Sequence, residues 1–268
     1  MLEIRILGCG SSGGMPRLGE GGPNWGTCDP ANPKNRRGRC SILVTRKSDA
    51  GETRILVDTS PDLREQLLAA RIGRLDGVLI THDHADQTHG IDDLRVLALQ
   101  QGGKKLDMWS DKFALDSLNR KFGYIFHTPP GLEYPPIVQA HVLPEPFAPL
   151  AISGPGGAIQ VIAFGQGHGR IRSLGYRFSN VAYSPDVDAL DEAAFAALQG
   201  LDCWIVDALR RTPHPSHAHL GRTLEWIARA APKRAILTNL HLDMDYETLR
   251  RELPANVEPD YDGMTIQV

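Results

Sequence analysis

No run of apolar residues reaches the roughly 20 needed for a helix to cross a bilayer, so a helical membrane protein is excluded. The N-terminus also lacks the order of basic residues, apolar core and small-residue cleavage site that marks a secretory signal, and a cytoplasmic protein is expected. Cysteine is scarce. Cys9, Cys28, Cys40 and Cys203 are widely spread and contain no C-x-x-C pair, so neither a disulfide framework nor a redox dithiol is expected. An excess of positive charge is missing as well: Lys and Arg number 29 against 32 Asp and Glu, a net charge of -3. Such a surface is not built for long nucleic acids, although a local basic pocket for a small phosphorylated ligand remains open. The one basic run, Lys34 to Arg39, is short, carries no interleaved aromatic and reads as a solvated loop. The glycine-rich segment from Gly8 to Gly26 lacks the GxxxxGK[ST] pattern, so an irregular loop is expected there and not a P-loop. No internal repeat is visible. The ordinary 41% hydrophobic content over 268 residues fits one large domain, residues 1–268, with a substantial core.

What is present is concentrated in residues 76–90. The apolar run Val78 to Ile80 has the length of a buried strand, and it delivers His82, His84, Asp86 and His89 beyond its end. Two histidines two positions apart in extended chain share a side and can chelate one ion, while Asp86 reaches a neighbouring position as a hard oxygen ligand. Imidazole with carboxylate suits Zn, Mn or Fe better than Mg or Ca.

The same theme recurs along the chain. Strands are expected at Leu2 to Leu7, Ser41 to Thr45, Arg54 to Val57, Leu106 to Trp109, Ile159 to Phe164, Leu174 to Phe178, Val181 to Tyr183, Cys203 to Val206, Ala235 to Thr238 and Met264 to Val268. Helices are expected from Ser60-Pro61 onward with Leu63, Leu67, Leu68 and Ile72 inward, over Ile91 to Gln101 and Asp111 to Phe122, after His219 with Leu220, Leu224 and Ile227 inward, and over 246–253. The proline-rich stretch 123–155 reads as a long surface excursion, placed to contribute to a substrate lid. Strand after strand then finishes in a histidine or acid: Asp58, the His82/His84/Asp86 set, His168, Asp186, Asp207 and His241. Chance does not readily put so many at corresponding ends.

With these residues in view the sequence resembles the metallo-β-lactamase superfamily, through Asp58, His82-x-His84-x-Asp86, His168, Asp186 and the segment Asn239 to His241. Within it the chain looks most like the phosphodiesterase branch, in particular the phosphoribosyl cyclic phosphate phosphodiesterases of the carbon-phosphorus lyase pathway, as do Leu237-Thr238 and Asp262-Gly263-Met264. The resemblance implies an α/β fold, a four-layer αβ/βα sandwich of two mixed sheets with helices outside, and two divalent ions, Zn or Mn, at one rim. It implies that His82, His84 and His168 hold the first ion, that Asp186 bridges, that Asp86 holds the second, and that Asp58 orders the ligand loop from behind. It further implies hydrolysis of a small cyclic or nucleotide-like phosphodiester, with His217 as general acid oriented by Asp207. Two positions depart from the pattern. Gln87 and Asn239 stand where this family carries ligand histidines, so the second ion is expected to be weak or absent, or to be completed by His89 and His241. Arg95, Arg210 and Arg211 are candidates for the substrate phosphate, because guanidinium matches phosphate oxygens bidentately. The branch's closely spaced structural-zinc cysteines are missing, and Cys28 with Cys40 is not expected to replace them.

The implied partner is a small phosphodiester, with no membrane and no long nucleic acid, and a homodimer is left open. Competing readings are RNA 3′-end processing, a thioester or lactam hydrolase, and a non-catalytic metal or cofactor carrier on the same fold.

Overall fold

Side-chain alternation decides which way each strand faces. In the strand from Ser41, Ile42 and Val44 turn to one side and Leu43 to the other, and in the strand from Gly51, Ile55 and Val57 are divided from Leu56 in the same way. With both faces apolar, such strands need cover on both sides, and the chain supplies a second sheet on one and helices on the other. The structure, a computed structural model, describes residues 1–145 and 147–268. Its first half runs β1 (Leu2–Gly8), a small hairpin of β2 (Arg17–Gly19) and β3 (Gly22–Asn24), β4 (Ser41–Ser48), β5 (Gly51–Val57), α1 (Leu63–Ala70), β6 (Gly77–Leu79), α2 (Ala85–Thr88), α3 (Leu94–Gln100), β7 (Leu106–Ser110), α4 (Lys112–Phe126) and β8 (Val138–Val142). The second half runs β9 (Leu150–Ile152), β10 (Ile159–His168), β11 (Ile171–Phe178), β12 (Val181–Ser184), α5 (Glu192–Ala197), β13 (Cys203–Asp207), α6 (Leu220–Ala230), β14 (Arg234–Thr238), α7 (Tyr246–Glu252), β15 (Val257–Pro259) and β16 (Thr265–Gln267).

Two seven-stranded sheets result, ordered β16-β1-β4-β5-β6-β7-β8 and β15-β14-β13-β12-β11-β10-β9. Their inner faces share one core containing Ile4, Ile42, Val57, Val161, Tyr176, Ile205 and Ile236. Residues of α1, α3 and α4 cover the outer face of the first sheet, and residues of α5, α6 and α7 cover that of the second. This is the four-layer αβ/βα sandwich, with both sheets mixed: β5 to β8 and β12 to β15 are parallel, the remaining neighbours antiparallel.

Parallel order places the carboxyl ends of β12, β13 and β14 at one rim, and β10, separated from β12 by the antiparallel β11, points the same way. Ligand-binding loops gather at such carboxyl ends. At the corresponding rim of the first sheet, β5 and β6 deliver Asp58 and His82. The two rims are joined directly, the Leu174 N–H donating to the Thr81 carbonyl at 2.9 Å.

The structure corrects several expected elements. β10 does not stop at Phe164 but continues through the Gly-Gln-Gly run to His168, because all eight residues of β11 pair with it in unbroken register, from Val161 with Phe178 to His168 with Ile171. Leu68 points to solvent at 58% exposure, and α1 ends at Ala70 with Arg71 in the left-handed conformation, leaving Ile72 beyond the helix. α4 runs on to Phe126 past non-helical backbone at Phe122. The stretch 123–155, outside residue 146, contains β8 and β9, edge strands of the two sheets, so it links one sheet to the other.

Candidate metal centre

Each group at the rim is held by the strand that delivers it. Asp58, just past β5, is fully buried, and its Oδ1 accepts the Thr81 N–H at 2.8 Å while the Thr81 hydroxyl reaches Oδ2 at 2.9 Å. The same hydroxyl lies 3.0 Å from His82 Nδ1 and so sets the ring. α2 is a single turn after His84, pinned by the Thr59 N–H to the Gln87 carbonyl at 2.8 Å and by the Gly90 N–H to the Thr59 carbonyl at 2.9 Å. Gly90 is required there because a Cβ would sit 2.0 Å from the Ser60 carbonyl oxygen. From the other side Asp83 accepts from Ser117 and from Lys121, the latter at 2.9 Å, which ties the His82–His84 turn to α4. Three site residues, Asp58, Asp186 and Asn239, have φ of 65°, 50° and 63°. Asp and Asn tolerate this left-handed region better than other non-glycine residues, and such backbone gathers where side chains must be aimed.

Three ring nitrogens converge. His82 Nε2 and His168 Nε2 each lie 3.1 Å from His84 Nδ1. His168 Nδ1 faces the Ser216 carbonyl at 2.6 Å, which fixes its proton there and turns the Nε2 lone pair inward. Burial, then the neighbouring imidazoles, hold His82 well below the usual histidine range, and burial followed by His217 lowers His168 to about 3. Burial thus favours the uncharged, ligand-competent form of these two rings, and three ring nitrogens so close together make a seat for a cation. The donor set therefore fits a divalent ion, and tetrahedral Zn²⁺ in particular takes three imidazoles with a fourth place open.

Asp186 follows β12 and is buried, and burial pushes its carboxyl well up. A second group of potential ligands, His168, Asp186 and His217, adjoins the first. His217 Nδ1 lies 2.9 Å from Asp207 Oδ2, and that oxygen also accepts the Val187 N–H at 3.1 Å. Burial alone would lower the His217 pKa, but Asp207 outweighs it, with Asp186 and Asp86 adding to the effect, and pushes the imidazole up to about 9.

The structure thus brings together His82, His84, His168, Asp186, Asp207, His217, Gln87 and Asn239, with Asp58 behind them. It does not bring His241 to the converging nitrogens: His241 Nδ1 lies 3.3 Å from Asp243 Oδ1, further along the rim. His89 ends α2 and packs edge-on against Phe122, 5.5 Å between centroids. Asp86 heads α2, near enough to Asp58 and Asp186 to raise both, without entering a three-ligand group among the described residues. Arg95 pairs with Asp92 at 3.2 Å on the outer helical layer. Arg211 pairs with Glu252 at 2.8 Å, and Arg210 donates to the Thr212 and Pro213 carbonyls of its own loop, near enough to His214 and His241 to add to the lowering that burial imposes on the pKa of both. Cys28 and Cys40 are buried free thiols. Thr81, Ser216 and the Asp83–Ser117–Lys121 tie went unnoticed in the sequence, since each acts through a contact distant in the chain.

If Asp58 orders the ligand turn through Thr81, Asp58→Asn should weaken metal binding by about 10- to 100-fold, the range for outer partners of ligand histidines, with the circular dichroism spectrum unchanged. Equal affinity by competitive chelator titration would refute that role.

A four-layer αβ/βα sandwich with a His-x-His-x-Asp turn and a third histidine at one rim defines the metal-dependent hydrolase class anticipated from the motif. The chain belongs to the metallo-β-lactamase superfamily, residues 53–239 matching the family model described as "Beta-lactamase superfamily domain". It is 31% identical over 265 residues to an octanoyltransferase of Porphyromonas gingivalis, an alignment covering 97% of this chain and 50% of the relative, so the chain spans about half that protein's length. It is 27% identical to coenzyme PQQ synthesis protein B of Pseudomonas aeruginosa, with 100% of both chains covered. Among solved structures it is similar to a diphosphatase from the PhnP family, with a TM-score of 0.86, 29% identity and coverage of 100% of this chain and 98% of the other. No helix in the described residues is long and apolar enough to cross a membrane.

Proposed function

We propose that the chain is a metal-dependent phosphodiesterase acting on a small cyclic or nucleotide-like phosphodiester, of the phosphoribosyl cyclic phosphate type. The observation that carries this reading is the adjacency of two devices. Three imidazole nitrogens face one point, and beside them His217 is braced by a buried carboxylate. Similarity to the PhnP-family diphosphatase over nearly the full length of both chains supports it. A divalent ion, Zn or Mn, held by His82, His84 and His168 would supply Lewis acidity, drawing charge off a phosphoryl oxygen and lowering the pKa of a coordinated water.

The chain's own residues do the rest. Asp207 fixes the proton on His217 Nδ1 and leaves the Nε2 edge to carry the proton that moves. Close to a cleaved P–O bond, that edge protonates the departing alkoxide, in the manner of a positioned general acid. Asp186, buried between the two devices, would offer its carboxylate to the ion beside His168. Thr81 and Asp58 hold the ring of His82, so little reorganisation accompanies reaction.

Turnover of bis-p-nitrophenyl phosphate, abolished by chelation and restored by Zn or Mn, is the expected result. The full-length similarity to a coenzyme PQQ synthesis protein, whose name specifies no phosphodiester hydrolysis, leaves a second reading beside the first, a non-catalytic metal or cofactor carrier on this fold. Tight metal binding without turnover of any phosphodiester would select the carrier and reject the enzyme. RNA 3′-end processing finds less support: it calls for a basic surface, whereas the chain carries a net charge of -3 and its long excursion supplies edge strands to the two sheets.

A further inference from the structure

We propose that this site holds one ion only, because two carboxamides take the place of a second cation at Asp186. The proposal rests on the metal reading above. The Gln87 side chain donates from Nε2 to Asp186 Oδ2 at 2.8 Å, a bond buried on both sides. Asn239 aims its Nδ2 at the other oxygen, Oδ1, at 3.5 Å, and His217 Nδ1 lies 3.8 Å from the same atom. With Asp186 ionised, as it is once a cation sits among the histidines, the Gln87 amide presents its N–H, since turning its oxygen toward the carboxylate would set two acceptors against each other in a buried place.

A carboxylate that bridges two cations needs a lone pair for each. Oδ2 of Asp186 instead meets an N–H, and an amide N–H has no lone pair to offer an ion. The two residues that could have supplied imidazole at this side supply carboxamides, whose oxygens are neutral and weaker ligands for Zn than imidazole. The Gln87 oxygen is buried and makes no hydrogen bond, so it is not turned to solvent either. Asp86 alone is then a poor site: among the described residues His89 is occupied with Phe122 and His241 with Asp243, and His217, the imidazole beside Asp186, is already held by Asp207. On the opposite side of Asp186 the three histidine nitrogens remain complete. The amides also account for the burial of Asp186: a carboxylate there would be costly without partners, and N–H donors satisfy it where a second cation otherwise would.

The stoichiometry can be read directly. Metal-free protein titrated with Zn²⁺ by calorimetry, followed by dialysis and elemental analysis, should take up one equivalent, lost in His84→Ala. The Gln87→His, Asn239→His double variant should bind two equivalents and, loaded with Co²⁺, show the absorption of two sites in place of one. Two equivalents of similar affinity in the unaltered protein would overturn the proposal while leaving the metal reading intact. No binding at all would overturn the metal reading and the proposal with it. Should the double variant fail to fold, the titration of the unaltered protein decides the question alone. A folded double variant that still binds one equivalent would show that the amides are not what keeps the second ion out.

Discussion

His82→Ala is expected to strip the chain of its tightly held ion and of its activity together, with little change in the thermal stability of the metal-free form. The ring is one of three converging donors, and its Nε2 lies 3.1 Å from His84 Nδ1. Removing a partner behind a ligand histidine already costs about 10- to 100-fold in affinity, so loss of the ligand itself should exceed about 100-fold. Stability should suffer less because the ring sits in a turn at the rim, while the apolar core lies between the sheets and under the helices. Elemental analysis after dialysis checks the result, with His89→Ala as the comparison: His89 packs on Phe122 and should retain the ion in full. Full metal content in His82→Ala would reject the assignment of the site.

How much of this was visible in the sequence depends on whether a residue signals by position or by contact. His82, His84, His168, Asp186 and Asp207 announce themselves because each follows an apolar strand, and parallel strands put their carboxyl ends together. The two packed sheets were expected from the resemblance to the superfamily and not from any strand's own pattern. His241 fails by the criterion of position although it too follows a strand. β14 ends at Thr238, and the left-handed turn at Asn239 puts Asn239 and not His241 beside Asp186. Position after a strand marks a residue for the rim, and the backbone turn at that point decides which side chain enters the site.

The arginines depend on the fold in a different way. Guanidinium chemistry says what Arg95, Arg210 and Arg211 could bind, but only the fold shows that Asp92, the Thr212 and Pro213 carbonyls, and Asp243 with Glu252 already engage them. Short edge strands were equally hard to see. β8, β9 and β15 are five, three and three residues long, and pairing with a neighbour, more than any pattern of their own, makes them strands. In β10, glycine-rich sequence signalled a break, yet its hairpin with β11 keeps register as far as His168 with Ile171. That extension matters to the site, since a strand and not a loose loop aims the third ligand.

His217→Ala should separate substrates by their leaving groups. An alkoxide departs poorly and needs a proton in the transition state, whereas p-nitrophenolate leaves without one. Loss of a positioned acid should therefore lower kcat on an alkyl or ribose cyclic phosphodiester by about 10²- to 10⁴-fold and cost far less on the p-nitrophenyl ester. Asp207→Asn should follow the same pattern more weakly, because the bond of 2.9 Å that orients the ring loses its charge. The pH profile supplies an independent sign. An acid works only while protonated, and Asp207 holds His217 up at about 9, so activity on the alkyl ester should fall as pH rises through the His217 pKa. A cation among the neighbouring histidines repels the imidazolium and pulls that pKa down, which puts the alkaline limb between the ordinary histidine value, about 6.5, and about 9. The limb should be absent for the p-nitrophenyl ester and absent from the residual activity of His217→Ala. Equally large losses on both substrates would mean that His217 binds phosphate or the ion instead. The acid would then be sought at His214, whose ring centroid lies 5.0 Å from that of His217.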